Sequence, residues 1–390
     1  MRIKRPGFLL LALLAFVLQG CLGFGGPATK SIGTNPGGNQ VNVVENVFKG
    51  KIYATIGRNL YVITGDGQAR QIVGGGNIYD PAVSPDGTKI AFIQRYKQYS
   101  NLLYVAASGG QPHLLLNGNG GFFKNDGGFV HNTYHWFFEP AWSPDGSTLL
   151  FLSDWMKLDY THQCTGQDAD MLDMQVFSIP LNNPAKIQAV AYAAFGGGGD
   201  RDASYRPGHA DQIVYTHYAD ISGNGAKQIV QLYLADPGEL ARHPSLYCAG
   251  GRDSGIAITA AGDQDIQPAF SPDGNALAYV RSEGAAQSSI YVMPVPENVT
   301  RTPNDPNTEK LALQPYNRST RLISGTYVSR PIWSPDGKQL AYLEESNQAL
   351  DLWVVNISKN AQTGVYSVQG APTQVITGGV DGDSRAVWTG

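Results

Sequence analysis

The chain of 390 residues predicts an all-β fold, a six-bladed β-propeller in which N-terminal strands and the C-terminal strand share one blade and close the ring. Three observations lead there. A Pro-x-x-Ser-Pro-Asp-Gly repeat recurs at intervals of roughly 55 to 65 residues, the signature of stacked supersecondary units. Each copy is followed by apolar runs of strand length. The chain ends on the first part of a repeat whose remainder stands at the other end.

Well-formed copies span Pro81–Gly87, Pro140–Gly146, Pro268–Gly274 and Pro331–Gly337. Ser-Pro-Asp-Gly suits a tight type I turn, with Pro pre-setting φ and Gly closing. The residues before it form a short strand led by a proline, which has no N–H to give a ladder and so belongs on an edge. A blade's innermost strand is such an edge. A second strand follows each turn, as in Ile90–Ile93, Leu149–Leu152, Leu277–Val280 and Leu340–Leu343, and then a third, as in Leu102–Val105, Val176–Ile179, Ile290–Met293 and Leu352–Val355. These runs are apolar on both faces, as expected of strands sandwiched between neighbouring blades. A weaker fourth strand closes the unit, as in Arg321–Ile323 and Gln374–Ile376.

Two copies are degenerate. Ala203–Gly208 followed by Ile213–Tyr215 keeps the pattern with an altered turn, and Ser384–Thr389 matches Ser329–Ser334 and then stops. Its partners are Lys51–Ala54, Asn59–Val62 and Arg70–Val73, which brings the count to six blades. The repeat resembles that of TolB and, more loosely, the propellers of prolyl oligopeptidases and dipeptidyl peptidases. The resemblance runs from about residue 50 to the end and implies the fold; propellers host unrelated activities, so it implies little about function. TolB carries an α/β domain before its propeller and this chain offers only a tether, so TolB's envelope partners are not carried over.

The N-terminus reads as an export signal. Arg2, Lys4 and Arg5 precede an apolar run from Phe8 to Leu18 that is too short for a mature membrane span. Leu18-Gln19-Gly20-Cys21 resembles a bacterial lipobox, which implies removal of residues 1–20 and acylation of Cys21. Residues 21–49 then read as a flexible tether, rich in Gly, Pro, Thr, Ser and Asn over its first half, and 50–390 as the propeller. The expected place is the membrane surface, facing the periplasm or the cell exterior. Net charge is −4 with no basic stripe, which argues against nucleic acid as a partner. A monomeric propeller is expected. Cys164 and Cys248 suit one disulfide in an oxidising compartment, but the topology places them on opposite rims.

Loops joining strands two-three and blade to blade share one rim, opposite the Ser-Pro-Asp-Gly turns. That rim receives two long insertions flanking one strand, 117–135 and 154–173. Loops of such length are often functional. Their Tyr134, His135, Trp136, Asp154, Trp155, Asp159, Tyr160 and His162 combine flat apolar area with directed polar groups, which suits a protein surface or a glycan. The same rings would equally serve to pack the insertions onto the rim. His131, His135 and His162 are weak metal candidates without a ligand spacing, and Asp220-x-Ser222-x-Asn224-Gly225 echoes a calcium loop but has Gln231 where the closing acid belongs. No cofactor is expected. No Gly-x-Ser-x-Gly elbow, phosphate loop or His-Glu-x-x-His motif is present. The favoured reading is a non-catalytic binding module at the envelope. A polysaccharide lyase or hydrolase and a purely structural envelope protein are the alternatives.

Overall fold

The computed structural model describes residues 28–34, 40–124, 128, 130–157, 173–191, 198–220, 228–243, 255–284, 286–297, 306–346 and 348–390. Cys21, Asp159, Tyr160, His162, Cys164, residues 221–227 and Cys248 lie outside them. Three sheets have four strands each, a six-stranded sheet holds one further blade and an eight-stranded sheet holds two, which makes six. Blade one pairs the C-terminal Val387–Thr389 with Lys51–Ile56, then Asn59–Thr64 and Ala69–Val73. Blades two and three open on Ile78–Val83 and Phe137–Trp142, and blades four, five and six on Gly199–Arg206, Gln264–Phe270 and Ser329–Trp333. The ring is therefore closed as the half-repeat predicts.

Side-chain alternation explains the doubly apolar strands. In blade three, Leu149 and Phe151 enter the core shared with blade two, whereas Leu150 and Leu152 enter the core shared with blade four. Six apolar clusters result, one for each junction between neighbouring blades. Trp142 and Trp333 add polar ties, their indole N–H groups donating to Ala82 O at 2.9 Å and Ala269 O at 3.0 Å of the preceding blade.

The Ser-Pro-Asp-Gly turns form as the sequence predicts. Gly146 N donates to Ser143 O at 2.9 Å with Gly146 at φ 70°, where a Cβ would be strained. The Ser143 hydroxyl donates to Asp145 and accepts from Thr148 N at 3.0 Å. In blade two the equivalent Ser84 hydroxyl, with the Thr88 amide and hydroxyl, draws the Asp86 carboxyl down to about 2. The degenerate fourth blade has Arg206 at the serine position. That side chain is buried and donates to Gly274 O of the next blade at 2.7 Å and to Gln212 at 2.8 Å. A tie between blades thus stands in for the tie within the turn.

The segment 21–49 is not tether throughout. Thr29–Thr34 and Gln40–Val44 form a hairpin, joined to the outer edge of blade six through Asn42↔Thr377 and Val43↔Ile376. Val41 and Val43, on either side of Asn42, are fully buried, and Val44 and Phe48 nearly so. Composition read over the whole stretch hid this short period-two pattern. No helix among the described residues is long and apolar enough to cross a membrane.

Candidate functional site on the insertion rim

The first insertion leaves blade two after His113–Leu116, makes a small hairpin of Phe122–Lys124 with Val130–Asn132, and returns through Tyr134 to Trp136. Its return is held from below. Asp154 and Lys157, both buried at the end of the second strand of blade three, form an ion pair of 2.9 Å. Lys157 also donates to Tyr134 O, and Asp154 accepts from Trp136 N at 2.8 Å. Burial works against the Asp154 carboxylate, but the His135 imidazole, the Lys157 ammonium and the Trp136 amide outweigh it and hold its pKa below the usual range. His135 stands 3.6 Å from Asp154 and 4.6 Å, ring to ring, from Trp155, which packs on toward Phe137 in the core. Asp154, His135 and Trp155 therefore support the insertion rather than present themselves.

What the support presents is a run of rings. Tyr96 stacks on Tyr99 at 4.6 Å, Tyr99 on Tyr134 at 6.0 Å, and Phe122 meets Tyr134 edge-on at 5.5 Å. On the hairpin's other face Phe123 stacks on His131 at 4.8 Å. Phe122 is 61% exposed, Phe123 48%, Val130 47% and Tyr96 38%, so four large apolar side chains share one sector of the rim. Trp136 turns the other way and stacks on Phe138 at 6.0 Å, toward the channel. Of the predicted binding residues that are described, only Tyr134 stacks into this group. Tyr96 and Tyr99, in a blade hairpin of ordinary length, and Phe122 and Phe123, in the first insertion beside Lys124 and Asn125, were not singled out from the sequence. Among the described residues no group of three or more His, Cys, Asp and Glu side chains is placed to hold a metal, and His131 is engaged with Phe123.

A second constellation closes the channel at its waist. In blades two to six the innermost strand has an irregularity in its pairing just before the turn, as between Tyr79 and Ala82, Phe138 and Ala141, or Ser329 and Ile332. The residue there is Asp80, Glu139, Asp202, Gln267 and Arg330 in blades two to six, all with φ between 51° and 59°. Arg385 is their counterpart in blade one. Bulges of this kind re-aim a side chain, and an αL backbone at a residue with a Cβ costs about 1 kcal/mol or more. The six converge. Asp80 accepts from Arg385 N at 3.1 Å and Glu139 N at 3.3 Å, Glu139 from Asp202 N at 2.6 Å, and Gln267 from Arg330 N at 2.8 Å. The Ser384 and Thr216 hydroxyls accept from Asp80 N and Gln267 N at 2.8 and 3.2 Å. Every bulge amide thus has an acceptor, as buried amides require.

Charges then cross the channel. Arg385 reaches Glu139 at 2.7 Å and Ala203 O at 3.2 Å, and Arg330 reaches Asp202 at 3.0 Å and Glu139 at 3.6 Å. Burial pushes the Asp80 and Asp202 carboxyls up, with the Glu139 charge adding to it. Burial opposes ionisation of Glu139 too, but Arg385, Arg330 and the Asp202 amide overcome it and hold its pKa down. On the Ser-Pro-Asp-Gly side of this ring lies a cavity of about 410 Å³, with Asp202, Gln267, Arg330 and Arg385 among its lining and walls of Pro140, Pro331 and their neighbours.

Fold and closure together define a six-bladed β-propeller carrying an aromatic insertion on one rim. Among solved structures it is similar to TolB from Acinetobacter baumannii, with a TM-score of 0.53 and 17% identity over 89% of this chain and 68% of that one. Weaker likenesses are to TolB from Agrobacterium tumefaciens, with a TM-score of 0.45 and 15% identity over 80% of this chain and 87% of that one, and to an oligogalacturonate lyase in complex with manganese, with a TM-score of 0.45 and 14% identity over 87% and 83%. At these identities the likeness is one of fold. Neither a family model nor a curated protein matches the sequence.

Proposed function

We propose that the protein is an exported lipoprotein, held to the membrane through acylated Cys21 and facing the periplasm or cell exterior, whose propeller is a non-catalytic module that binds an envelope protein or glycan on its insertion rim. The observation that carries this reading is the exposed group of Tyr96, Phe122, Phe123 and Val130, backed by stacked Tyr99 and Tyr134. Scattered exposed apolar residues are ordinary, but rings linked from Tyr96 through Tyr99 and Tyr134 to Phe122, on and beside a braced hairpin, are the kind of surface that marks an interaction site. The buried Asp154–Lys157 pair fixes the hairpin's return. This pre-orders the surface and lowers the entropy lost on binding. The test compares the intact protein with a Tyr96→Ser/Phe122→Ser/Phe123→Ser variant, by cross-linking in native membranes and by binding to an array of envelope glycans. Capture of one defined partner or glycan by the intact protein, lost in the variant at unchanged melting temperature, supports the reading. Equal capture by both, or turnover of a polysaccharide by the purified protein, overturns it.

A further inference from the structure

At the channel mouth on the insertion rim, two arginines meet over one ring. Arg58 and Arg95 hold their guanidinium carbons 4.7 and 3.7 Å from the centroid of Tyr79, and Arg95 also lies 4.9 Å from Phe138. Arg58 occupies the two-residue hairpin Gly57-Arg58, with φ of 60° and 61°. Turns of that type favour Gly or Asn at both places. An arginine there accepts strain to put its cation at the mouth. Arg95 is anchored inward by buried Asp80 of the ring at 3.3 Å, yet its Nε is buried without a hydrogen-bond partner.

The outer side of this pair is closed by the chain itself. Asp383 brings both carboxylate oxygens to Arg58 Nη1, at 2.5 and 2.7 Å, but stands 3.7 Å from Arg95. Asp381 fixes the Arg58 backbone amide at 2.7 Å. The Asp383 side chain is 51% exposed, and an ion pair so exposed holds its partner loosely. A carboxylate tied to its own loop thus fills one arginine well and the other poorly. Beside them Phe138 and Trp136, stacked and half-buried, continue the aromatic surface outward.

We propose that the channel mouth is a binding site for sugar acids, in which the ligand carboxylate replaces Asp383 between Arg58 and Arg95 and its pyranose ring rests against the Phe138–Trp136 surface. Guanidinium groups recognise carboxylates through paired hydrogen bonds. Flat aromatic faces suit the C–H face of a pyranose, which a linear acid lacks. The site uses neither the exposed hairpin nor its partner, so it stands or falls apart from the reading above. Asp383 is then a tethered stand-in that keeps the arginines paired when no ligand is present.

The experiment titrates D-glucuronate, glucose and an acidic hexapeptide against the full mature protein by calorimetry, with Asp383→Asn and Arg58→Gln alongside. The expected result is binding of glucuronate but not glucose, tightened about fivefold in Asp383→Asn, where competition is gone, and lost in Arg58→Gln. Melting temperatures identify any variant that loses its fold, and Asp383→Asn, altering one exposed group, keeps the test readable. Unchanged or weaker glucuronate binding in Asp383→Asn overturns the stand-in role. Equal binding of glucose, or binding of the peptide in place of glucuronate, overturns the ligand class. Capture of an envelope partner through Phe122 and Phe123 is scored separately and does not depend on Asp383.

Discussion

The waist of the channel and the insertion rim are both rich in side chains of functional type, and they are built in opposite ways. At the waist one residue from each blade turns inward, five of them through bulges, and with the Ser384 and Thr216 hydroxyls they satisfy one another's amides and charges. On the rim the insertion 117–135 carries its rings outward, and the charged pair that braces it from blade three, Asp154 and Lys157, is buried. Where charge is locked inside, the residues hold the fold together; where rings are braced, they are left uncovered. Polarity alone therefore does not separate the residues that hold this propeller together from those it exposes. The distinction lies in whether a group's partners are already in the molecule.

The largest effect that would break this contrast is at the waist. Arg385 belongs to the segment that closes the ring and is the nearest cation to buried Glu139. Arg385→Ala leaves that carboxylate short of its countercharge, and removing one member of a buried pair costs about 3–5 kcal/mol. Denaturant unfolding should show it as a loss of midpoint with normal cooperativity. An effect under about 0.5 kcal/mol would mean that the ring holds nothing.

Acid sharpens the same point. The Glu139 carboxyl is held below its unfolded value, so its stabilising share is complete above the unfolded value of about 4.3 and is lost as pH falls through the lower folded value. Asp80 and Asp202 are raised and act with the opposite sign, favouring the fold as they protonate. The stability difference between the native protein and Glu139→Gln should therefore be full at pH 7 and shrink as pH falls below about 4. A difference that stays flat down to pH 2 would contradict the arginine pairing.

Lys157→Met comes next, at about 3 kcal/mol, because it leaves Asp154 buried with only the Trp136 amide and His135 beside it. Protease nicking within 117–135 before global unfolding would show that the brace serves the insertion. Ser143→Ala should cost about 1 kcal/mol through its turn hydrogen bonds, read from the melting temperature. Phe123→Ser should cost least, within about 0.5 kcal/mol, since its side chain is half exposed.

How much of this the sequence disclosed follows the same division. Blade number and closure were legible because Pro-x-x-Ser-Pro-Asp-Gly repeats with identical chemistry and Ser384–Thr389 repeats its beginning. The ring was not, although its positions are fixed one residue before the repeat's first place. Asp80, Glu139, Asp202, Gln267, Arg330 and Arg385 differ in identity, and only the circle makes them complementary. The hairpin at 40–44 was lost in the Gly-rich stretch before it. On the rim, insertion length pointed to the sector where the exposed rings Phe122 and Phe123 stand. It did not reveal that Asp154 turns inward, because that depends on Lys157 meeting Tyr134 O and on Asp154 accepting from Trp136 N across two loops.

The most direct test of the central claim places a photo-cross-linking amino acid at Phe123 on the insertion rim and, separately, at exposed Thr88 beside a Ser-Pro-Asp-Gly turn on the other rim. Irradiation in intact cells should give a discrete adduct from position 123 and none from position 88. Adducts from both positions alike, or from position 88 only, would contradict a propeller that meets its partner through the insertion rim.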